Sequence, residues 1–321
     1  MYYFDTNDQA ISGAGPITIP RLTVETGRTL TNNNSGGLSV TTKLAGGTLF
    51  QGAAGVLNTG MPDAGFTLTT LDASTPGNTV GYIYAGAQVV RDISYHSLTL
   101  GGSGVKTLPS GLTHITGNLF LTGTVTATTV AGLDIDGTFG IGSGASLTVG
   151  GYNFNVDGTT SIAGTSSSVN GKLIFGSATG TKSFIGLVTV GTYGVWDDTL
   201  NAPVSFEGGL LFSGKTFTAG TGTYTFQNTA GQEIGGTVAL SIPSISVGAG
   251  VNLTNTNTGG LTIGTALTGL GTLTQGVNTT LKIGASAGNF TLSNLIASAS
   301  GNTVEYNGSA QDVRAVTYYN L

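Results

Sequence analysis

The chain has 321 residues, of which 39% are hydrophobic and only 8% charged, with 55 glycines, no cysteine and a net charge of −5. Missing cysteine excludes disulfides and thiolate metal sites. An acidic balance without a basic stripe excludes nucleic-acid binding, and the absence of an 18-residue apolar run excludes a membrane-spanning helix.

The chain opens on "MYYFDTNDQA", which has neither the charged region nor the apolar region of a signal peptide. From there a small pattern recurs: apolar, Thr or Ser, apolar. Leu22-Thr23-Val24, Leu38-Ser39-Val40 and Leu98-Thr99-Leu100 are early examples, and Leu147-Thr148-Val149, Ile245-Ser246-Val247 and Leu261-Thr262-Ile263 are later ones. Alternation with period two predicts strands with one buried face. Each strand reads as three to five residues long, closed by Gly, Asn-Gly or Asp-Gly, which accept the positive φ of tight turns. No segment has helical period. "GNTVGYIYAGAQVV" is the nearest, and Gly81 and Gly86 break it.

Residues 1–98 return at 224–321. "FTLTTLDASTPGNTV" (Phe66–Val80) becomes "FTLSNLIASASGNTV" (Phe290–Val304), with ten of fifteen positions identical. "LTNNNSGGLSV" (Leu30–Val40) becomes "LTNTNTGGLTI" (Leu253–Ile263), and "AQVVRDISYHSL" (Ala87–Leu98) becomes "AQDVRAVTYYNL" (Ala310–Leu321). Residues 99–223 occur once, so the repeating unit is about 224 residues. This phase is expected of a piece of a longer tandem array. The alternative is a complete chain whose ends meet neighbouring chains.

The segment present once carries a shorter echo: "LDIDGT" (Leu133–Thr138) and "FNVDGT" (Phe154–Thr159) lie 21 residues apart, which suits one turn of a solenoid. A β-sandwich array would show longer strands and a period near 100 residues. The expected fold is therefore all-β: a right-handed parallel β-helix, one elongated rod continuous over 1–321. Its terminal coils are expected to present open strand edges that invite further copies or end-to-end self-association.

Candidate chemistry is sparse. Asp134 and Asp136 project from one strand face and Asp157 follows about one coil later. Three carboxylates there suit Ca²⁺, or the acid and base of a polysaccharide-cleaving enzyme, while Asp136-Gly137 and Asp157-Gly158 also read as simple turns. "VWDD" places Trp196 beside Asp197 and Asp198, a sugar-stacking candidate or a core cap. His96 is replaced by Tyr319 in the second copy and reads as an ordinary strand residue; the other histidine is His114. Thr-X-Thr pairs such as Thr124/Thr126 suit solvated strands, and an ice-binding ladder would need a more constant spacing. No HExxH, GxSxG or P-loop is present.

"GNTVEYNGSAQDVRAVTYYNL" and "GGSGVKTLPSGLTHITGNLFLTGTVT" resemble the repeats of large secreted bacterial β-helix proteins, the filamentous-haemagglutinin-like and autotransporter-passenger-like surface adhesins. The resemblance implies an extracellular, cell-surface stalk or filament without enzymatic activity or cofactor, with surface glycans as partners. A phage-tailspike-like or lyase-like β-helix that binds or degrades polysaccharide is the alternative.

Overall fold

The computed structural model describes residues 1–6 and 8–321. The fold is a parallel β-solenoid of about 14 turns. No α-helix occurs among the described residues; the helical elements are two single 3₁₀ turns, Asp63–Gly65 and Ala287–Asn289, which occupy equivalent places in the two copies. The coils gather into two compact units, Met1–Thr148 and Val149–Leu321.

In the first unit the coils stack in parallel register. Ile17 faces Leu38, then Leu57, Val80, Leu98, Leu119 and Phe139, one residue from each coil. From Leu38 to Phe139 this column is almost completely removed from solvent. The alternation explains it: in Leu38-Ser39-Val40 the outer two side chains are buried and Ser39 is half-buried on the outer face.

In the second unit Val156, Phe184, Phe206, Phe226 and Val247 form an equivalent column, with Phe184 and Phe206 stacked at 5.9 Å and Phe206 and Phe226 at 5.2 Å. A second column there runs Leu240, Leu261, Leu281, Val304, the copy of Ile17, Leu38, Leu57, Val80. Leu38 and Leu261, and Val80 and Val304, are all fully buried; Phe66 is half-buried where Phe290 is buried. The duplicated sequence therefore takes the same inward register in both units.

Strand length departs from expectation. Ile17–Asn34 and Leu38–Gln51 run for 18 and 14 residues rather than three to five. They turn coil corners without breaking, through register shifts between Ile19 and Arg21 and between Val24 and Thr29. Irregularities of this kind interrupt the ladder locally and bend the strand, and pairing resumes beyond them, so a corner needs no separate loop.

One glycine position shows how tightly the coils approach. Gly46 has φ +94° and a Cβ there would collide with the Val24 carbonyl oxygen; its copy, Gly269, has φ +111° and faces the Val247 carbonyl oxygen in the same way.

Candidate functional site

Asp134 lies on strand Leu133–Ile135, directly opposite His114 on the neighbouring strand. Asp136 follows at the end of that strand, and its Oδ1 lies 2.8 Å from His114 Nε2. The donor atoms of His114, Asp134 and Asp136 all fall within 4.8 Å of one another, making this the convergent cluster of potential metal ligands among the described residues. The cluster is open to water: the His114 and Asp136 side chains are 48% and 43% exposed. Asp157 belongs to the second unit, where its Oδ1 accepts a hydrogen bond of 2.7 Å from Asn155 Nδ2. The structure thus gathers His114 with Asp134 and Asp136. The signal in sequence is the one-coil spacing between His114 and Asp134, which only the strand register converts into a contact.

The "VWDD" candidate is corrected by its burial. Trp196 is 0% exposed, packed edge-on against Phe175 at 4.9 Å and parallel to Phe217 at 5.4 Å, so no ring face is free to stack a sugar. Period two on strand Val195–Asp197 turns Trp196 inward and Val195 and Asp197 outward. Trp196 Nε1 donates to Tyr224 Oη at 2.9 Å, and that hydroxyl donates to Asp198 Oδ2 at 3.0 Å. Asp198 Oδ1 accepts from the Ala202 amide at 2.7 Å. Asp198 is fully buried, and desolvation pushes its carboxyl up to about 6 despite the hydrogen bonds from Ala202 and Tyr224 and the nearby Lys182 charge, which favour the anion. Burial likewise raises the Tyr224 hydroxyl well above its usual range, and the Asp198 charge adds to the effect. Asp197 is half-buried and closes a turn, accepting from the Thr199 amide at 3.1 Å. The cluster ties side chains of the core together.

Two buried lysines cap backbone carbonyls rather than acids. Lys106 Nζ donates to Tyr84 O, Gly86 O and Gln88 Oε1 at 2.8–2.9 Å, and burial lowers it to about 8. Lys182 Nζ donates to Tyr152 O, Thr179 O and Gly180 O at 2.7–2.9 Å.

Sequence reasoning missed a duplicated aromatic–arginine cluster. Tyr82 and Tyr95 hydroxyls meet at 2.8 Å, the Tyr95 hydroxyl donates to Arg91 O at 2.9 Å, and the Arg91 guanidinium lies 4.3 Å from the Phe66 ring centre. In the copy, Tyr306 and Tyr318 meet at 2.7 Å, Tyr318 donates to Arg314 O at 2.9 Å, and Arg314 lies 4.7 Å from Phe290. Gln88 Nε2 donates to Thr59 O and Met61 O, and Gln311 Nε2 to Ile283 O and Ala285 O. All eight aromatic and arginine residues lie in the two sequence copies, so the signal was their recurrence together.

An open groove of about 460 Å³ lies on the second unit, bordered by Leu187, Gly208, Gln232, Glu233, Asn252 and Thr254. Glu233 is its single carboxylate. No helix among the described residues is long and apolar enough to cross a membrane. Comparison with protein-family models, with curated proteins and with solved structures gave no match.

Proposed function

We propose that the chain is a structural segment of a long extracellular repeat protein, an adhesin stalk or surface filament at a bacterial cell surface, with no catalytic role. The observation that carries this reading is the content of the duplication. What recurs is packing and its hydrogen bonds: Leu38 with Leu261 and Val80 with Val304, buried in both copies, and the Tyr82–Tyr95–Arg91 set with the half-buried Tyr306–Tyr318–Arg314. The exposed His114–Asp134–Asp136 group falls in the part present once. A repeat that preserves core contacts and leaves surface chemistry unduplicated serves extension, since each coil buries its strands against its neighbours.

The partners of this reading are further copies of the repeat, stacked through open coil edges, and surface glycans met along the exposed faces. The test is a chain lengthened by one unit, residues 99–321 placed again after Leu321. A higher denaturant midpoint than that of the 321-residue chain is expected, because added coils cover edges. An unchanged midpoint overturns the reading.

One observation favours the polysaccharide-binding alternative: the open groove bordered by Gln232, Glu233 and Asn252. Glycoside hydrolysis needs two carboxyl groups flanking the bond, so this groove supports binding rather than cleavage. Glycan-array binding abolished by Glu233→Gln would favour it over the stalk.

A further inference from the structure

Turn chemistry accounts for only part of the acidic group on the first unit. "LDIDGT" (Leu133–Thr138) and "FNVDGT" (Phe154–Thr159) share the Asp-Gly that suits a bend, which explains Asp136 and Asp157. The second residue of each echo differs. In the later one it is Asn155, a neutral amide that donates to Asp157 Oδ1 at 2.7 Å. In the earlier one it is Asp134, so two carboxylates stand two residues apart on one face. Like charges so placed repel each other, and the bend does not require the second.

Burial fixes where these side chains point. Ile115, Leu133 and Ile135 are buried, so period two turns His114, Asp134 and Asp136 outward together. The backbone holds the ligands in place. The Asp134 amide donates to Thr113 O at 3.0 Å and the Asp136 amide to Ile115 O at 3.1 Å. His114 stands opposite Asp134 in the ladder, and its Nε2 lies 2.8 Å from Asp136 Oδ1. One donor atom from each of the three side chains lies within 4.8 Å of the other two.

One imidazole nitrogen and two carboxylate oxygens form the mixed donor set of a zinc-type ion. A tetrahedral ion holds such ligands at about 2.0–2.2 Å, which spaces them about 3.3 Å apart. Rotation of exposed side chains covers the difference from the observed spacing. The 48% and 43% exposure of His114 and Asp136 leaves the fourth position to water. Two carboxylates and a neutral imidazole carry a charge that one divalent ion cancels. Calcium takes six to eight oxygens, and a set of three ligands that includes a nitrogen does not supply them. We infer that His114 Nε2 and the carboxylates of Asp134 and Asp136 bind one divalent transition-metal ion of the zinc type.

On binding, the Nε2 lone pair goes to the metal, and a proton held on Nε2 passes to Nδ1 or to solvent. The ion then ties strand His114–Ile115 to strand Leu133–Ile135, a link between successive coils on the outer face. This metal-binding role goes beyond that of a passive stalk.

The test is zinc titration of the untagged 321-residue chain, first freed of metal with a chelator, followed by calorimetry. Cobalt(II) absorption reports the geometry. One zinc per chain is expected, with intense tetrahedral cobalt bands and no competition from calcium. Asp134→Asn copies what the chain already carries at Asn155 and so suits the fold. This variant and His114→Gln should each weaken zinc binding at least about tenfold, while His96→Gln leaves it unchanged. Absence of saturable binding, calcium competing on equal terms, or an octahedral cobalt spectrum would each overturn the inference. So would unchanged affinity in folded Asp134→Asn or His114→Gln, or loss of binding in His96→Gln. Should a variant fail to fold, X-ray absorption of the zinc-loaded unaltered chain decides: one imidazole in the zinc shell supports the site, and none or two overturns it.

Discussion

Asp198 shows what a single buried acid does to this core. Its carboxyl stands at about 6 in the folded chain, against 3.8 for an ordinary aspartate. The folded state therefore holds the proton more tightly than the unfolded state. The stabilisation from protonation is fully present below about pH 4 and is lost as pH rises through about 6. After allowance for solvent screening the window is worth about 1–3 kcal/mol. Denaturant midpoints measured from pH 4 to pH 7 should fall across this range, and Asp198→Asn should flatten the decline. Tyr224→Phe leaves Trp196 Nε1 without its acceptor and Asp198 Oδ2 without its donor, and should destabilise by about 2–4 kcal/mol at pH 7 in the same measurement.

At the scale of the strand and its corner, the coils depend on glycine in unequal degrees. Gly46 and Gly269 press against carbonyl oxygens of the preceding coil, whereas Gly27, at φ +79°, has no atom within 4 Å of the position a Cβ would take. Gly46→Ala and Gly269→Ala should each lower stability by more than about 2 kcal/mol. Gly27→Ala should cost only the left-handed strain of about 1–2 kcal/mol. Thermal unfolding of the three variants checks the order, and equal losses would show that strain rather than crowding governs the corners.

Strands were legible in sequence where the pattern is local. Leu38-Ser39-Val40 and Leu261-Thr262-Ile263 declare their faces by alternation, and identical blocks declare their equivalence. The bends that merge Ile17–Asn34 into one strand were not legible, because a bulge keeps the composition of a strand and changes only its pairing. Nor was the fate of Trp196, since inward and outward positions alternate on any strand and only the core behind it settles which face is buried. His114 beside Asp134 needed the register across a coil, a relation that local spacing does not contain.

For the molecule as a whole, charge and stability pull apart in acid. The formal charge is −5 at pH 7 and reaches zero near pH 4.8. Repulsion between chains is then least, so association measured by light scattering should peak near that pH. The individual chain is expected to be more resistant to denaturant there than at pH 7, by the Asp198 argument. Association that instead tracked loss of structure would show that unfolding drives it.

The parallel registers carry a consequence for how the chain acquires its fold. Parallel sheets are ordinarily slow to form, because their partners lie far apart in sequence and a long loop must close first. Here Leu38 meets Leu57 and Leu98 meets Leu119, partners separated by a single coil. Relative to 321 residues that separation gives a contact order of about 0.06, as low as that of the fastest helical bundles. Each coil can lock as soon as the next has left the ribosome, so the finished part of the chain serves as the template for the part still being made.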